Sequence, residues 1–131
     1  MAKTGPLATP ATILVAEDSA DTRALLRRAL ASYGYEVVEA TDGREAVEVA
    51  LRECPGLVLM DLNMPVMDGL AATERIRELR ERCGDVPIVA VTAFDTYGIR
   101  EAAMEAGCDA YLLKPLDLDE LESVIAGLLS G

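Results

Sequence analysis

The sequence predicts an α/β domain in which a doubly wound, five-stranded parallel sheet is covered by helices on both faces. Short apolar runs rich in Val, Ile and Leu alternate five times with amphipathic helical patterns along the chain. Four of these runs are continuously apolar at their centres, which is typical of strands buried on both faces. Strict alternation of strand and helix requires right-handed crossovers and therefore parallel strands. A length of 131 residues suits one domain with one core.

The five predicted strands are the short runs that contain most of the β-branched residues. Glu36 and Glu39 make the second run more polar than the others, which favours a position near an edge of the sheet. The predicted strands are Thr12–Ala16, Tyr35–Ala40, Leu57–Met60, Pro87–Val91 and Asp109–Leu113.

The five predicted helices follow the strands and are recognised by apolar residues at helical spacing together with start and stop signals. Asp42 with Glu45, and Asp117 with Glu120, have the spacing of a capping box. Glycines end the first and third helices, and Gly98 lies near the start of a short, alanine-rich fourth helix. The apolar stripes lie within Leu25–Tyr33, Ala46–Cys54, Leu70–Cys83, Ile99–Ala106 and Leu118–Leu128.

Composition and charge restrict the partners and the location. Residues 1–11 contain glycine and prolines without periodicity and are predicted to be a flexible leader or linker remnant, so that residues 12–131 form the domain. The net charge of −11 disfavours nucleic acid and anionic membranes as partners. No apolar run is long enough for a membrane span or a signal peptide, so we expect a soluble, cytoplasmic protein.

Histidine is absent from the sequence, and the three cysteines are widely spaced. The lack of histidine excludes a Ser-His-Asp or Cys-His site, and it excludes a phosphohistidine within these residues. Cys54, Cys83 and Cys108 include no Cys-x-x-Cys pair and fit neither a zinc site nor a disulfide framework. We therefore expect three reduced, mostly buried thiols.

Polar side chains follow four of the five predicted strands at the point where each strand ends. Because the carboxyl ends of parallel strands meet at one edge of the sheet, these side chains are expected to converge there, at the edge where ligands bind. Alone, each has an ordinary explanation, such as a helix cap, a hydroxyl bonded to backbone or a solvated lysine. Their common placement favours a site. These residues are Glu17, Asp18, Asp61, Thr92 and Lys114.

This set of groups predicts phosphoryl chemistry. Clustered carboxylates repel one another, and a hard divalent cation such as Mg²⁺ relieves that repulsion through oxygen ligands. A metal ion beside one ammonium and one hydroxyl can stabilise a phosphoryl group. A central carboxylate can act as the nucleophile and form an aspartyl-phosphate.

Four fragments together give the chain a family resemblance. They are Glu17-Asp18, the segment Asp61–Gly69 (DLNMPVMDG), Thr92-Ala93 and Lys114-Pro115. In this order, on the ends of these strands, they resemble the response-regulator receiver domain of two-component signalling over nearly the whole chain, from Ile13 to about Leu129. The resemblance implies a flavodoxin-like (βα)5 fold with strand order 2-1-3-4-5.

The resemblance also implies a role for each site residue. Asp61 matches the phospho-accepting aspartate. Asp18 and Asp61 would hold Mg²⁺ directly, Glu17 through water and Asn63 through its backbone carbonyl. Thr92 matches the switch hydroxyl and Lys114 the lysine that pairs with the phosphate.

Three further positions follow from the same resemblance. Tyr111 matches the aromatic residue that turns inward on activation, although a half-buried strand tyrosine is the plain alternative. The peptide bond before Pro115 is expected to be cis. Asn63 and Phe94 occupy the positions that influence how long the phosphate survives.

The resemblance implies a phosphodonor outside these residues, namely a histidine kinase or a histidine-phosphotransfer protein, acting in trans or within a longer polypeptide. Arg23, Arg27 and Arg28 could dock that partner or could form a solvated basic face. Phosphorylation is expected to change the surface of the helix around Ile99–Ala106, the fifth strand and the last helix, where a downstream protein would bind. The domain would not be an enzyme in the usual sense, since it catalyses only its own phosphorylation and dephosphorylation.

Other classes of function remain as alternatives. A receiver that acts as a phosphate-independent adaptor would keep the same residues. A phosphatase of the haloacid dehalogenase kind needs Asp-x-Asp, and Asn63 occupies the place of the second aspartate. An FMN-binding protein would need a hydroxyl- and glycine-rich first loop, whereas this loop contains Glu17, Asp18 and Asp21. No nucleotide-binding glycine motif occurs.

Overall fold

Five parallel strands form one sheet in the computed structural model, which describes residues 11–64, 67–93 and 98–130. The strand order is β2–β1–β3–β4–β5, so the predicted fold class and topology are confirmed. The more polar β2 lies at an edge, as its glutamates indicated. The strands are β1 (Thr12–Ala16), β2 (Glu36–Ala40), β3 (Leu57–Asp61), β4 (Ile88–Thr92) and β5 (Ala110–Leu113).

Among the described residues, six helices connect and follow these strands, one more than the sequence predicted. The predicted third helix is interrupted at Leu79, whose N–H bonds to the Ile76 carbonyl and closes the helix one residue after Glu78. A separate helical turn follows the interruption. The helices are α1 (Ala20–Ser32), α2 (Gly43–Glu53), α3 (Gly69–Glu78), α4 (Arg80–Cys83), α5 (Ile99–Ala106) and α6 (Leu118–Ser130).

The core consists of two apolar clusters, one on each face of the sheet. On one face, α1 and α6 pack on alternate strand residues such as Ile13, Leu59 and Val89. On the other face, α2, α3 and α5 pack on the intervening residues, among them Leu14 and Met60. Covering both faces explains why β1, β3 and β4 are almost wholly buried and why their sequences are continuously apolar.

Polar caps start the helices near the carboxyl edge of the sheet. The Asp42 carboxylate accepts a bond from the Glu45 N–H at 2.8 Å, and the Glu45 carboxylate accepts one from the Thr41 N–H. Asp117 accepts a bond from the Glu120 N–H at 3.2 Å. Both predicted capping aspartates therefore begin their helices, which satisfies backbone donors that would otherwise lack partners.

The prediction of three reduced, mostly buried thiols is wrong for two of the cysteines. Cys54 and Cys83 form a disulfide, with Cα atoms 5.3 Å apart. Cys54 is exposed and Cys83 is half-buried, because they lie at the ends of α2 and α4 and not in the core. Cys108 alone matches the prediction, since it is a free, buried thiol whose pKa is raised by burial. Sequence spacing did not reveal the pair because helix packing, not chain proximity, brings the two residues together.

Some predicted features lie outside the described residues. They are the leader, apart from Ala11, together with Phe94 and two members of the motif after β3, Pro65 and Val66. Within the part of the chain that the structure describes, no helix combines the length and apolar character needed to cross a membrane.

Candidate functional site

Three carboxylates lie close together at the carboxyl edge of the sheet. Glu17 and Asp18 follow β1, Asp61 ends β3, and these two strands pair side by side. One carboxylate oxygen from each residue lies within 4.8 Å of the others. Glu17 and Asp61 are only 3% and 4% exposed, whereas Asp18 is open to solvent. The cluster thus combines two buried negative charges with one accessible carboxylate.

Lys114, directly after β5, brings a positive charge to this cluster. Its Nζ lies 2.7 Å from Glu17 Oε1 and 3.4 Å from Asp61 Oδ2. Burial of the ammonium opposes its charge, but the hydrogen bond to Glu17 and the negative charges of Asp61 and Glu17 raise the pKa of Lys114 above its ordinary value. The lysine therefore stays protonated at neutral pH and partly balances the two buried carboxylates.

Backbone N–H groups fix the two buried carboxylates. Glu17 Oε2 accepts a bond from the Ser19 N–H at 3.1 Å, so each oxygen of Glu17 has a partner in the chain. Asp61 Oδ1 accepts a bond from the Asn63 N–H at 3.0 Å. The Asp61 carboxylate is therefore held from one side by backbone and from the other by Lys114.

Thr92, at the end of β4, is fully buried beside the cluster. Its Oγ1 accepts a bond from the Asn63 side-chain amide at 3.2 Å. The sequence analysis assigned Asn63 a backbone carbonyl ligand and an influence on phosphate lifetime, but it did not predict this side-chain contact with Thr92. No sequence signal could have revealed it, because it depends on how the loop after β3 folds over the end of β4.

Arg23 supports the acidic loop from the side of α1. Its guanidinium donates bonds to the carbonyl oxygens of Glu17 at 2.8 Å and Asp18 at 3.2 Å, and to the carboxylate of Glu39 at 3.1 Å. The Arg27 guanidinium also pairs with Glu39. Of the three arginines considered for docking, Arg23 and Arg27 therefore link α1 to β2, and Arg23 also links it to the acidic loop. Arg28 is exposed on the same helix.

Tyr111 and Pro115 lie on either side of the site lysine along the chain. Tyr111 in β5 is half-buried and packs against the core cluster under α5, with the Arg100 guanidinium 5.5 Å from the centre of its ring. The Lys114–Pro115 peptide bond is cis. An open cleft of about 410 Å³ lies beside the cluster, and its lining includes Asp18, Asn63 and Ile99. The cleft gives a small ligand access to the exposed side of the site.

The donor set fits a hard divalent cation. Three carboxylates within one small volume supply the oxygen ligands that Mg²⁺ prefers, and one ammonium balances only part of their charge. The same arrangement places a nucleophilic carboxylate, an ammonium and a hydroxyl-bearing side chain at one edge. That combination is suited to accepting a phosphoryl group.

Comparison with protein families and curated proteins shows which proteins the chain is similar to. The family model for the response regulator receiver domain matches residues 13–126. A response regulator MprA from Mycolicibacterium vanbaalenii is 42% identical over 120 residues, which is 92% of this chain and 51% of that protein. A transcriptional regulatory protein PrrA from Mycobacterium tuberculosis is 39% identical over 117 residues, 89% of this chain and 49% of that protein. The chain spans about half the length of these relatives.

Solved structures give the same result. The receiver domain of the sensor histidine kinase PA1611 from Pseudomonas aeruginosa, solved with a magnesium ion in its active-site cleft, superposes with a TM-score of 0.86. It is 36% identical, and the match covers 93% of this chain and 99% of that one. A two-component response regulator of the LuxR family from Aurantimonas is 32% identical with a TM-score of 0.85, over 93% of this chain and 86% of that one.

Proposed function

Since this chain belongs to the response regulator receiver domain family of two-component signal transduction, we propose that Asp61 accepts a phosphoryl group from a phosphohistidine. The donor would be a histidine kinase or a histidine-phosphotransfer protein. One observation carries the proposal: the Asp61 carboxylate lies at the sheet edge between the Lys114 ammonium and the Asn63 backbone N–H, within the acidic cluster. The 131 residues contain no histidine, so the donor histidine lies outside them.

The transfer is a displacement at phosphorus. A carboxylate oxygen of Asp61 forms the new P–O bond while the P–N bond of the phosphohistidine breaks. The electron pair of that bond returns to the imidazole nitrogen, which remains on the donor. A carboxylate nucleophile has no proton to lose as the bond to phosphorus forms, so the step needs no general base.

Mg²⁺ is the cofactor that the donor set supports. Asp18 and Asp61 would bind it directly, together with the backbone carbonyl of Asn63. Both oxygens of Glu17 already accept bonds from Lys114 and Ser19, which favours contact with the ion through water. When bound, the ion would neutralise charge on the phosphoryl oxygens, which is its usual contribution to phosphoryl transfer.

Lys114 and Thr92 are the proposed partners of the phosphoryl oxygens. Lys114 can exchange its contact with the Asp61 carboxylate for one with the new phosphate, because its flexible stem carries a point charge. Thr92 would turn its hydroxyl towards the phosphate, and its contact with the Asn63 amide would change as it moves. Phosphorylation is thereby expected to change contacts of Thr92 as well as the charge on Asp61.

The proposed output surface consists of α5, β5 and α6. Movement of Thr92 would open space for Tyr111, which packs beneath α5 near Arg100. A downstream protein would distinguish the two populations of this surface. Nuclear resonances of Ile99–Ala106 and Tyr111 are expected to shift on phosphorylation, and resonances that stay unchanged would contradict this route.

We propose that the domain is no enzyme towards external substrates, since Asn63 stands where an aspartyl-phosphate phosphatase needs a second aspartate. We propose a cytoplasmic location and no contact with nucleic acid or membrane by these residues, as the net charge of −11 favours. Some relatives are transcriptional regulators by name, and this chain spans about half of their length.

Intact mass after incubation with acetyl phosphate and Mg²⁺ tests the proposal. Wild type is expected to gain the mass of one phosphoryl group only with Mg²⁺, and Asp61→Asn none. Asp42→Asn is the matched control because asparagine also caps helices well, and it is expected to behave as wild type. No gain in wild type that still binds Mg²⁺ would overturn acceptance from this donor and favour a phosphate-independent adaptor.

A further inference from the structure

We propose that Cys54 and Cys83 form a reversible dithiol–disulfide site at which a hydroperoxide oxidises both thiols, fastening the end of α2 to α4. The two residues are the C-cap of α2 and the last residue of α4, separated by 29 positions in sequence. Their Cα atoms lie 5.3 Å apart, within the range that a disulfide spans without backbone movement.

Solvent reaches this pair. Cys54 is exposed and Cys83 is half-buried, so small oxidants and reductants can approach both sulfur atoms. Cys108, in contrast, is buried, and burial raises the pKa of its thiol. Redox chemistry of thiols follows exposure and thiolate character, so oxidation is expected at the first pair and not at Cys108.

Contacts that do not involve the S–S bond also hold the two residues together. The Arg82 guanidinium donates a bond to the Leu51 carbonyl at the end of α2, with an Nε–O distance of 3.1 Å. Cys83 Sγ lies 3.5 Å from the carbonyl oxygen of Ala50. A disulfide sulfur carries no proton, but the reduced thiol can donate one to this carbonyl. Each redox state therefore has a partner for Cys83, and α4 stays beside α2 after reduction.

The oxidation is balanced with hydrogen peroxide as the oxidant. One thiol loses its proton, the thiolate attacks a peroxide oxygen, and the O–O bond breaks; the departing hydroxide takes up that proton, so a sulfenic acid and one water form. The second thiol attacks the sulfenic sulfur, the S–O bond breaks, and a second water leaves. Two thiols thus lose two electrons and two protons, and the peroxide is reduced to two waters. A dithiol such as dithiothreitol reverses the change by exchange.

A cytoplasmic location favours a disulfide that forms and opens reversibly over a permanent one. Disulfides in mesophile cytoplasm are usually transient and redox-sensing, because the thiol pool keeps cysteines reduced. This step of the inference rests on the proposed function, which places the domain in the cytoplasm. The distance between the two cysteines and their exposure support the site in any compartment.

Oxidation would add a covalent link between α4 and the end of α2 that lies away from the acidic cluster. At the end near the site, Gly43 at the start of α2 lies so close to the Met67 carbonyl that a Cβ would collide with it. At the far end, α2 is joined to α4 by the bridge, by the Arg82 contact and by the contacts of Cys83 Sγ with the carbonyl oxygens of Ala50 and Leu51. We expect amide hydrogen exchange in α4 and the last turn of α2 to be slower in the oxidised protein.

Counting alkylated thiols by mass tests the site. Protein reduced with dithiothreitol, then denatured and alkylated, is expected to carry three adducts. After hydrogen peroxide it should carry one, on Cys108, and a second dithiothreitol treatment of the folded protein should restore three. Cys54→Ser and Cys83→Ser should form no intramolecular bridge, whereas Cys108→Ser should still form it. Three adducts after peroxide, or a bridge that dithiothreitol does not open in the folded protein, would overturn the proposal.

Two arginine variants test whether the chain holds the thiols ready for oxidation. Arg82→Gln removes the contact with the Leu51 carbonyl and is expected to slow bridge formation about tenfold through a lower effective concentration of one thiol at the other. Arg80→Gln is the matched control, because Arg80 contacts Arg77 and Asp85 and not α2. Equal rates for both variants would contradict this positioning role. Asp61→Asn should give wild-type thiol counts, which separates failure of this site from failure of the proposed phosphorylation.

Discussion

Lys114 and Arg77 are partly buried cations at opposite ends of the sheet, and they have different kinds of partner. At the carboxyl end, the Lys114 ammonium pairs with the carboxylates of Glu17 and Asp61. At the opposite end, Arg77 donates to the carbonyl oxygens of Gly107 and Val86 at 2.8–3.0 Å and to the carboxylate of Asp109 at 3.0 Å. One cation therefore bonds to groups that can react, and the other mainly to backbone.

From this difference we infer that Lys114 serves the function of the domain and Arg77 its stability. Backbone carbonyls take no part in the proposed transfer, and the Arg77 contacts with them join α3 to the chain before β4 and to the turn before β5. Asp109 extends this network, because its carboxylate also accepts a bond from the Ile88 N–H at 2.9 Å. The partners of a carboxylate that binds a metal ion or accepts a phosphoryl group change during its function, and the flexible lysine side chain can follow that change. We therefore expect changes at Lys114 to affect phosphorylation and changes at Arg77 to affect folding.

The largest expected effect is on phosphorylation, from Lys114→Met. Removal of one charge that stabilises the transferring group is expected to slow phosphorylation of Asp61 by about 100-fold. Mass spectrometry over time with acetyl phosphate and Mg²⁺ measures the rate. A rate within about threefold of wild type would contradict the assigned role of the lysine.

Arg77→Met removes the cation at the opposite end of the sheet, where the expected effect is on stability and not on phosphorylation. It leaves the Gly107 and Val86 carbonyls without this donor, and we expect the free energy of unfolding to fall by about 2–3 kcal/mol. Urea denaturation measures the loss, and phosphorylation per folded molecule should stay unchanged. If the phosphorylation rate fell while stability did not, the proposed division between the two ends would be wrong.

Gly107→Ala sharpens the same comparison with a smaller effect. The backbone of Gly107 has a φ of +117°, and a Cβ there would lie 2.7 Å from Cγ of Arg77. We expect a loss of about 1–2 kcal/mol in unfolding free energy. Gly84→Ala is the control, with a φ of +80° and open space around the new Cβ. A greater loss at Gly107 isolates the steric cost against Arg77, and equal losses would show that backbone conformation alone decides both.

The smallest effect is expected at Glu39, which links β2 to Arg23 behind the acidic loop. Burial opposes the shift, but hydrogen bonds from Arg27 and Arg23 and their charges lower the pKa of Glu39 below its ordinary value of 4.5. Because its pKa is lowered, ionised Glu39 stabilises the fold above about pH 4.5. This contribution is lost as the pH falls through the pKa of the folded state. Wild type should exceed Glu39→Gln by less than about 1 kcal/mol at neutral pH. Urea denaturation at falling pH should show the gap closing, and a constant gap would contradict the assignment.

Most of the fold followed from the sequence because apolar runs and helical stripes record which surfaces are covered. The starts of β1 and β3 are those predicted, and the edge position of β2 agrees with its glutamates. The interruption at Leu79 was not foreseen, because the apolar spacing of the predicted helix continues to Cys83. Hydrogen bonds at the helix end decide that break, and they leave no trace in the pattern of hydrophobicity.

The site was predictable at the level of which residues meet and not of how they bond. Topology alone brings Glu17, Asp18 and Asp61 to one edge. The bond between the Asn63 amide and Thr92, and the support of the acidic loop by Arg23, depend on side-chain geometry between distant segments. The pairing of Cys54 with Cys83 depends in the same way on packing of α2 against α4.

The pairing of Lys114 with the acidic cluster has a practical consequence for chemical labelling. Of the 12 basic residues in the sequence, only Lys3 and Lys114 are lysines, and every other one is an arginine. Amine-selective acylating reagents can therefore modify few positions, and one of them is the residue beside Asp61. Its raised pKa lowers the fraction of reactive free amine, so the speed of labelling at Lys114 depends on which anions surround it. Peptide mapping of a brief acylation thus gives a direct chemical reading of the state of the site, without a fluorophore or a radioactive donor.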